Sequence, residues 1–215
     1  HQTADEYTHR LPGIVRWPGL EGASGGQVDN GRHYQVDLAA SVLELAGADV
    51  PDHWDGTSFA ESLRSGEGQG DGTSGHDHLI LSAAAWTVQR SVRWDEWLYI
   101  STRHDGYHGY PNEMLFDVAS DPHLLNDQAP SFPDITVGAA RRLADWRDEM
   151  LVDTPGGIDP HDIVLSEGGP FHIWGELPTY IDRLRATGRG PIADELTARY
   201  PEAAAGKGPI QPWFY

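Results

Sequence analysis

Three short segments carry side chains whose types and spacing could support chemistry. The most promising is residues 104–108, which reads His-Asp-Gly-Tyr-His and is expected to form a loop leaving a strand. Imidazole and carboxylate groups this close together can hold a metal ion or contact an anionic substrate. The pattern predicts a substrate-binding loop built on His104, Asp105 and His108, and in a hairpin the two imidazoles would converge. A polar loop tip with stacked aromatic rings is the competing interpretation.

The other two segments favour structural roles. His76-Asp77-His78 follows a Gly/Ser-rich stretch, and a strand would send both imidazoles to one face, yet a solvated loop is more typical of such a context. Asp29-Asn30-Gly31 offers hard oxygens that suit calcium, but Asn-Gly is also a common turn pair ahead of a helix. No nucleophile elbow, phosphate-binding loop or dinucleotide fingerprint occurs, so the residues alone define no complete catalytic set.

Composition restricts the partners. The chain has 215 residues, of which 39% are hydrophobic, enough for one compact domain with an appendage. It has no Cys, which excludes thiolate catalysis and Cys-bound zinc within it. Its formal charge of -18 makes nucleic acid and acidic membrane surfaces poor partners. The acids are scattered, which favours a solvated acidic surface, and a halophilic origin is a hypothesis; a cation-binding acidic patch is the alternative.

Several elements must position these residues. Apolar residues at helical spacing predict helices, and short β-rich runs separated by turns predict a small antiparallel sheet packed by one of the helices. The fold class is therefore α/β in the wider sense and α+β for this chain. Gly13–Trp17 is expected to be a buried strand. The predicted helices are Tyr34–Ala46, Ser58–Arg64, Ile135–Leu151, Pro178–Thr187 and Pro191–Tyr200; the predicted sheet strands are His78–Ala84, Thr87–Arg93, Trp97–Thr102 and Met114–Val118.

Five segments occur in the order of elements found in the C-terminal half of the sulfatases, members of the alkaline-phosphatase-like superfamily, and they resemble those elements. The family patterns are an Arg-x-Pro stretch with a strand ending in Pro-Gly, a helix D-h-P-T-h-L-x-L-A-G-x-x-x-P (h, hydrophobic), a G-x-S-h turn, a strand R-h-x-x-W-K-Y-I, and E-L-Y-D-L-x-x-D-P-x-E-x-x-N-L. The matching segments are YTHRLPGIVRWPG (7–19), HYQVDLAASVLELAGADVP (33–51), DGTSF (55–59), SVRWDEWLYI (91–100) and EMLFDVASDPHLLNDQA (113–129).

The match extends over residues 7–151 and is incomplete in places. Asp117, Asp121 and Pro122 match the last pattern, whereas His123-Leu124 stand near its usual Glu. Ala40-Ser41 stand where Pro-Thr is usual. The resemblance implies that residues 1–64 end a large α/β domain, 65–154 form a small antiparallel-sheet subdomain, and 155–215 form a helical appendage.

The resemblance also implies a chemistry. In sulfatases a hydrated formylglycine attacks sulfur, and a divalent cation, usually calcium, polarises the sulfate. The motifs that supply both lie upstream of the Arg-x-Pro element, so the missing N-terminal part is the expected partner and this chain alone is expected to be inert. His1 falls near the position of a cationic sulfate contact, and the loop at His104, Asp105 and His108 would border the pocket for a sulfate-ester substrate.

Two alternatives remain open. The parent protein could hydrolyse phosphate or phosphonate esters, which related members of the superfamily do with similar sites. The chain could instead be a non-catalytic acidic binding module that uses its histidine loops. No membrane segment is expected, because no apolar run approaches the length of a spanning helix. The compartment is not indicated, with the cytoplasm slightly favoured.

Overall fold

The computed structural model describes residues 3–20, 26, 28–65, 75–152 and 154–209. The chain forms two compact units. The first, here called the sheet unit, comprises His1–Arg10, Ile80–Val92 and Glu96–Tyr215. The second, the small unit, comprises Leu11–Leu79 and Arg93–Asp95. No helix in the described ranges has both the length and the apolar character needed to cross a membrane.

A four-stranded antiparallel sheet confirms the predicted α+β class. Its strands are β1 (His78–Ala83), β2 (Val88–Trp94), β3 (Trp97–His104) and β4 (Glu113–Asp117), and they lie in that order. Strands β3 and β4 pair with Tyr99 opposite Leu115. The predicted turn between the second and third strands is confirmed, and Asp95 there adopts a positive φ of 37°.

One long helix packs on this sheet, as predicted. It is α4 (Pro133–Val152), and it lies against β3 and β4. Thr136 and Ala139 are its buried residues. Near its end Met150 is 45% exposed, so the buried residues of α4 lie in its first half.

The end of the chain is helical. After a 3₁₀ turn at Pro155–Gly157 come α5 (Pro160–Ser166), a second 3₁₀ turn at Phe171–Ile173, α6 (Leu177–Ala186), α7 (Gly190–Arg199) and α8 (Pro201–Ala204). Helices α6 to α8 pack on one another. Sequence analysis found α6 and α7 but missed the shorter α5 and α8, which span too few turns to show a periodicity. The core of this region consists of Tyr107, Ile173, Leu177, Ile181, Leu184, Ala193 and Leu196.

The small unit contains two helices, α2 (Gln35–Leu45) and α3 (Ala60–Ser65). Helix α2 occupies the predicted range, and Gly47 follows it with φ +77°, as a C-terminal glycine should. The strand expected at Gly13–Trp17 is absent from the structure: these residues have no regular structure and are exposed, Ile14 to 95%. A strand needs a hydrogen-bonded neighbour, and no described segment pairs with this one. A further short helix, α1 (Glu6–His9), belongs to the sheet unit.

Candidate functional site

The loop at residues 104–109 begins where β3 ends, and Asp105 holds its shape. The Asp105 carboxylate accepts the backbone N–H groups of Tyr107 and Gly109, each at 2.9 Å. Gly106 has a φ of +63°, and a Cβ there would collide with the carbonyl oxygen of Trp86. Tyr107 also has a positive φ, 69°, which a bulky residue adopts only when its surroundings impose it. The loop is therefore rigid and closely fitted.

Asp105 also connects the loop to the C-terminal helices. Its carboxylate accepts the Arg199 guanidinium at 2.8 Å and the Tyr200 hydroxyl at 2.6 Å, and its side chain is only 2% exposed. Burial, reinforced by the hydrogen bond to Asp105, raises the pKa of Tyr200. All these hydrogen bonds are internal, so Asp105 positions its neighbours and has little capacity left for a ligand.

His104 is a neutral hydrogen-bond donor at neutral pH. Its Nδ1 accepts the backbone N–H of Gly106 at 3.1 Å, so in this assignment the proton of the neutral ring is on Nε2. Burial lowers the pKa of His104, an effect partly opposed by Asp105. The ring stacks on Tyr200 with centroids 4.9 Å apart and meets the edge of Tyr107 at 5.6 Å.

A cavity of about 360 Å³ lies beside His104 within the sheet unit. Its walls combine aromatic rings, glycines and two oppositely charged side chains, Glu202 and Lys207. Neither of the two forms an ion pair with any residue in the described ranges. Lys207 is the only lysine of the chain. The volume falls in the lower range of small-molecule sites. The lining residues are His104, Tyr107, Gly168, Trp174, Gly175, Leu177, Tyr200, Pro201, Glu202, Ala203, Gly206, Lys207, Gly208 and Pro209.

The structure separates the three predicted loop residues. His104 lines the cavity, Asp105 is buried behind it, and His108 is exposed, with its ring 5.6 Å from Tyr110 and outside the cavity lining. Substrate binding by these three residues stays a prediction. His1, the predicted sulfate contact, lies outside the described residues.

The other polar segments form local hydrogen bonds. His76 contacts the buried Asp37 carboxylate at 2.9 Å. Asp29 accepts the Gly31 N–H at 2.7 Å and the Ser62 hydroxyl at 2.5 Å, and approaches His33 Nε2 at 3.2 Å. The first of these Asp29 contacts matches the turn interpretation. Across the described ranges, no three His, Cys, Asp or Glu side chains converge in a way that could hold a metal ion.

Sequence analysis missed a second charged group in the sheet unit, here called the Asp159 cluster. Asp159 accepts Arg90 through two nitrogens, at 2.5 and 2.6 Å, and Arg147 at 2.9 Å. Hydrogen bonding to Arg90 lowers the pKa of Asp159. Arg103 and Arg147 both pair with Asp162. No sequence signal marks the cluster, because its members are scattered over some seventy positions and converge only in the fold.

The cavity residues from the chain's end were missed for the same reason. Trp174, Tyr200 and Lys207 fall in a region that sequence analysis described only as a helical appendage. Residues 168–180 contain three aromatic residues, Phe171, Trp174 and Tyr180, interspersed with Gly and Pro, which was the one local feature there that could have drawn notice.

Comparison with solved structures gave partial matches. A 2-O GAG sulfatase is 23% identical, with 51% of this chain and 23% of that one covered and a TM-score of 0.42. A protein of Bacteroides thetaiotaomicron VPI-5482, provisionally named a sulfatase, is 25% identical over the same shares, with a TM-score of 0.42. A protein solved in complex with its substrate D-glucosamine-2-N,6-O-disulfate is 15% identical, with 55% and 24% covered and a TM-score of 0.45.

The chain spans about a quarter of the length of these proteins. No family model and no curated protein sequence matches the chain. All three TM-scores are below 0.5.

Proposed function

We propose that this chain is the C-terminal part of a sulfatase-like hydrolase that acts on sulfate esters. The nucleophile and most metal ligands would come from an upstream part of the same protein. Residues 1–64 would complete a large α/β domain, 65–154 would form the small sheet subdomain, and 155–215 would form the appendage. The observation that carries the proposal is that residues shared with the family patterns make the contacts that hold their segments together.

The helix and turn patterns illustrate this in the small unit. Asp37, the acid that opens the helix pattern, is fully buried and accepts the Tyr34 N–H at 2.6 Å and the Thr57 N–H at 2.8 Å. Its carboxylate thereby caps α2 and secures the Gly-x-Ser turn. A Cβ on Gly56 would lie 2.5 Å from the carbonyl oxygen of Val36, so the turn requires glycine. The two patterns therefore depend on each other physically, which their order in the sequence alone would not require.

The last pattern behaves similarly in the sheet unit. Asp117 ends β4 and accepts the N–H groups of Ala119 and Ser120 at 3.0 and 3.1 Å. Asp121 accepts the backbone N–H groups of Leu125 and Asn126, at 2.8 and 2.7 Å. Each matched Asp thus shapes one bend of the connection from the sheet to α4.

Exposed apolar residues support an additional partner surface. In the small unit, segment 11–17 and helix α2 expose large apolar side chains that a self-contained unit would be expected to bury. The missing N-terminal part of the protein is the proposed cover. The exposed side chains are Leu11, Ile14, Val15, Trp17, Val36, Leu38 and Val42.

The cofactors of such an enzyme do not fit this chain. It has no Cys and no Ser in a Ser-x-Pro-x-Arg segment to become formylglycine, and no metal-binding group of three is present among the residues described. Calcium and formylglycine are therefore assigned to the upstream part. His1 is proposed as a sulfate contact, and the loop at His104, Asp105 and His108 is proposed to influence which leaving group is accepted.

The decisive experiment is to clone the reading frame upstream of His1 and to assay the complete protein. An upstream Cys/Ser-x-Pro-x-Arg motif and turnover of 4-nitrophenyl sulfate would support the proposal. Faster turnover of 4-nitrophenyl phosphate or a phosphonate monoester would assign the protein to the alternative hydrolase class. A start codon at or near His1, with no such motif, would overturn the enzyme proposal and leave the acidic binding module.

The proposed site residues are tested in the same complete protein. His1→Ala should lower turnover of every sulfate ester, whereas unchanged turnover would reject the sulfate contact. His104→Ala should change the ranking of aryl and sugar sulfates. His53→Gln is the control, because His53 is an exposed loop histidine of the small unit. An unchanged ranking in His104→Ala would mean that the loop is only structural.

A further inference from the structure

The cavity beside His104 continues into a row of aromatic rings on the surface of the sheet unit. Trp174 lines the cavity and lies 5.2 Å from Phe171, between ring centroids. Phe171 lies 5.5 Å from His172, which stacks on Trp86 at 4.9 Å with the planes 17° apart. We name Trp174, Phe171, His172 and Trp86 the aromatic ribbon. Phe171 is 38% exposed and His172 is exposed, so a ligand can reach these rings.

The ribbon is held in place before any ligand binds. The His172 N–H donates to the carbonyl oxygen of Ala85 at 3.1 Å, which fastens the 3₁₀ turn to the connection between β1 and β2. The Trp174 indole N–H donates to the carbonyl oxygen of Gly169 at 2.9 Å, which fixes that ring. Preorganised aromatic rings lose little conformational entropy on binding, so they are efficient contact surfaces.

The polar groups at the cavity are few and of mixed character. His104 Nε2 has no hydrogen-bond partner within the described part of the chain, so the neutral imidazole can donate to a ligand. Lys207 supplies a cation and Glu202 an anion, and neither forms an ion pair with a residue that the structure describes. A site with aromatic walls and several neutral or oppositely charged hydrogen-bonding groups suits a ligand that has an apolar face and a polar rim.

A sugar ring has this character: its axial C–H groups form an apolar face, and its hydroxyl groups form the rim. A nucleotide fits less well, because phosphates need several cations and Lys207 is the one cation among the lining residues. The chain's charge of -18 also opposes polyanions. A lipid tail would leave the imidazole, ammonium and carboxylate groups without partners.

We propose that the cavity and the aromatic ribbon bind a carbohydrate chain, with one sugar ring against Trp174 in the cavity and the following rings over Phe171, His172 and Trp86. Lys207 would contact a single sulfate substituent on the first ring. This site lies within the described chain and requires no turnover. It therefore goes beyond the proposed hydrolase, and either proposal can fail without the other.

The test is calorimetric titration of the chain with named probes. These are glucose, cellotetraose, chitotetraose, and the unsulfated and 6-sulfated chondroitin disaccharides. We expect at least one tetrasaccharide to bind tenfold or more tightly than glucose, because additional rings engage the ribbon. Adenosine serves as an aromatic ligand that is not a saccharide chain. Failure of every saccharide to bind below about 10 mM, or equal binding of adenosine, would overturn the proposal.

Variants locate the binding. Trp174→Ala should weaken the best saccharide at least tenfold, whereas Trp86→Ala should remove only the advantage of the longer chain. The matched control is Trp54→Ala, an exposed Trp of the small unit outside the ribbon, which should change affinity less than twofold. If Trp174→Ala does not fold, Trp86→Ala carries the test, and an undiminished advantage of the longer chain in that variant would reject the ribbon. If both variants fold, unchanged affinity in both would reject the site.

A final variant separates the anionic contact from the stacking. Lys207→Met keeps the length of the side chain and removes its charge. It should weaken the 6-sulfated disaccharide about fivefold and leave the unsulfated disaccharide and cellotetraose unchanged. Equal loss for all of these probes would contradict the assigned role of Lys207.

Discussion

Asp105, in the loop at residues 104–109, and Asp159, in the Asp159 cluster, are two buried acids of the sheet unit whose surroundings differ. Each acid is almost completely buried, at 2% and 1% exposure, and each is paired with arginine. Asp159 binds two arginines and the His161 N–H, in a cluster where charges are paired. Asp105 supports a loop that presents His104 to a cavity whose charged lining residues, Glu202 and Lys207, form no ion pair within the described part of the chain.

This difference distinguishes a charge cluster that stabilises the fold from a group of residues that can bind a ligand. Where every charge has a partner, a perturbed pKa reports the stability of the fold. Where a buried acid such as Asp105 holds aromatic and imidazole side chains at the edge of a cavity, the same kind of ion pair positions those side chains for a ligand. We make four predictions from this comparison, in order from the most to the least destabilising change.

Removing Asp159 should be the most damaging change. Asp159→Ala leaves the largely buried Arg90 without its carboxylate, and breaking such a pair costs about 3–5 kcal/mol. Urea unfolding of the chain measures the loss. The control is Asp194→Ala, which removes an exposed pair with Arg185 and should cost below about 1 kcal/mol. Equal losses in the two variants would mean that the cluster does not stabilise the fold.

Removing Asp105 should cost less stability but abolish the site. Asp105→Ala should lower the free energy of unfolding by about 2–4 kcal/mol, because Arg199 is partly exposed and can turn to water. Saccharide binding should be lost even at temperatures where the variant remains folded. Tyr200→Phe keeps the stacked ring and removes one hydrogen bond, so about 1 kcal/mol is expected. A folded Asp105→Ala protein with full binding would contradict the positioning role.

The Asp159 cluster should also make stability depend on pH. Burial, with a further contribution from Arg90, lowers the pKa of His161 to about 4, compared with about 6.5 in the unfolded chain. Between these values the unfolded chain binds more protons, so the free energy of unfolding should fall by about 2 kcal/mol as pH drops from 6.5 to 4. Asp159 and Asp162 face His161 with Arg90 and Arg103, and Asp159 protonates only at lower pH.

Melting at pH 6.5 and 4.5 measures this effect. His161→Gln, which cannot titrate, should lose much of the drop over that interval, whereas His53→Gln, an exposed control, should keep it. An identical drop in His161→Gln would assign the acid sensitivity to other groups.

Two glycine variants test whether the position of the His104 ring at the cavity matters. Their effects on stability and binding should be the smallest of the four predictions. Gly169 has φ +94°, and a Cβ there would lie 3.1 Å from the His104 ring. Gly169→Ala should cost about 1–2 kcal/mol and weaken saccharide binding severalfold, since the ring must shift. Gly188→Ala has the same kind of φ but nothing within 4 Å, so it should cost about 1 kcal/mol and leave binding unchanged. Equal affinities in the two variants would mean that the ring position does not matter.

Local patterns predicted the elements that surround these sites. Short β-rich runs separated by turns predicted the four strands, and apolar residues at helical spacing predicted helices α2, α4, α6 and α7. Each of these features depends on residues only a few positions apart, so the sequence alone shows the pattern. The expected strand at Gly13–Trp17 was wrong, because a strand depends on a partner that the apolar run itself does not reveal.

The sequence by itself determined the α+β class, the four-stranded sheet with its packed helix, and the choice of the loop at His104 as a candidate site. Only the tertiary structure decided that Asp105 supports the loop, that His104 alone of the three lines the cavity, and that Trp174, Tyr200 and Lys207 complete it. The physical reason is distance along the chain. Hydrophobic periodicity is local, whereas Asp105 and Tyr200, or Arg90 and Asp159, meet only after helices and strands have packed.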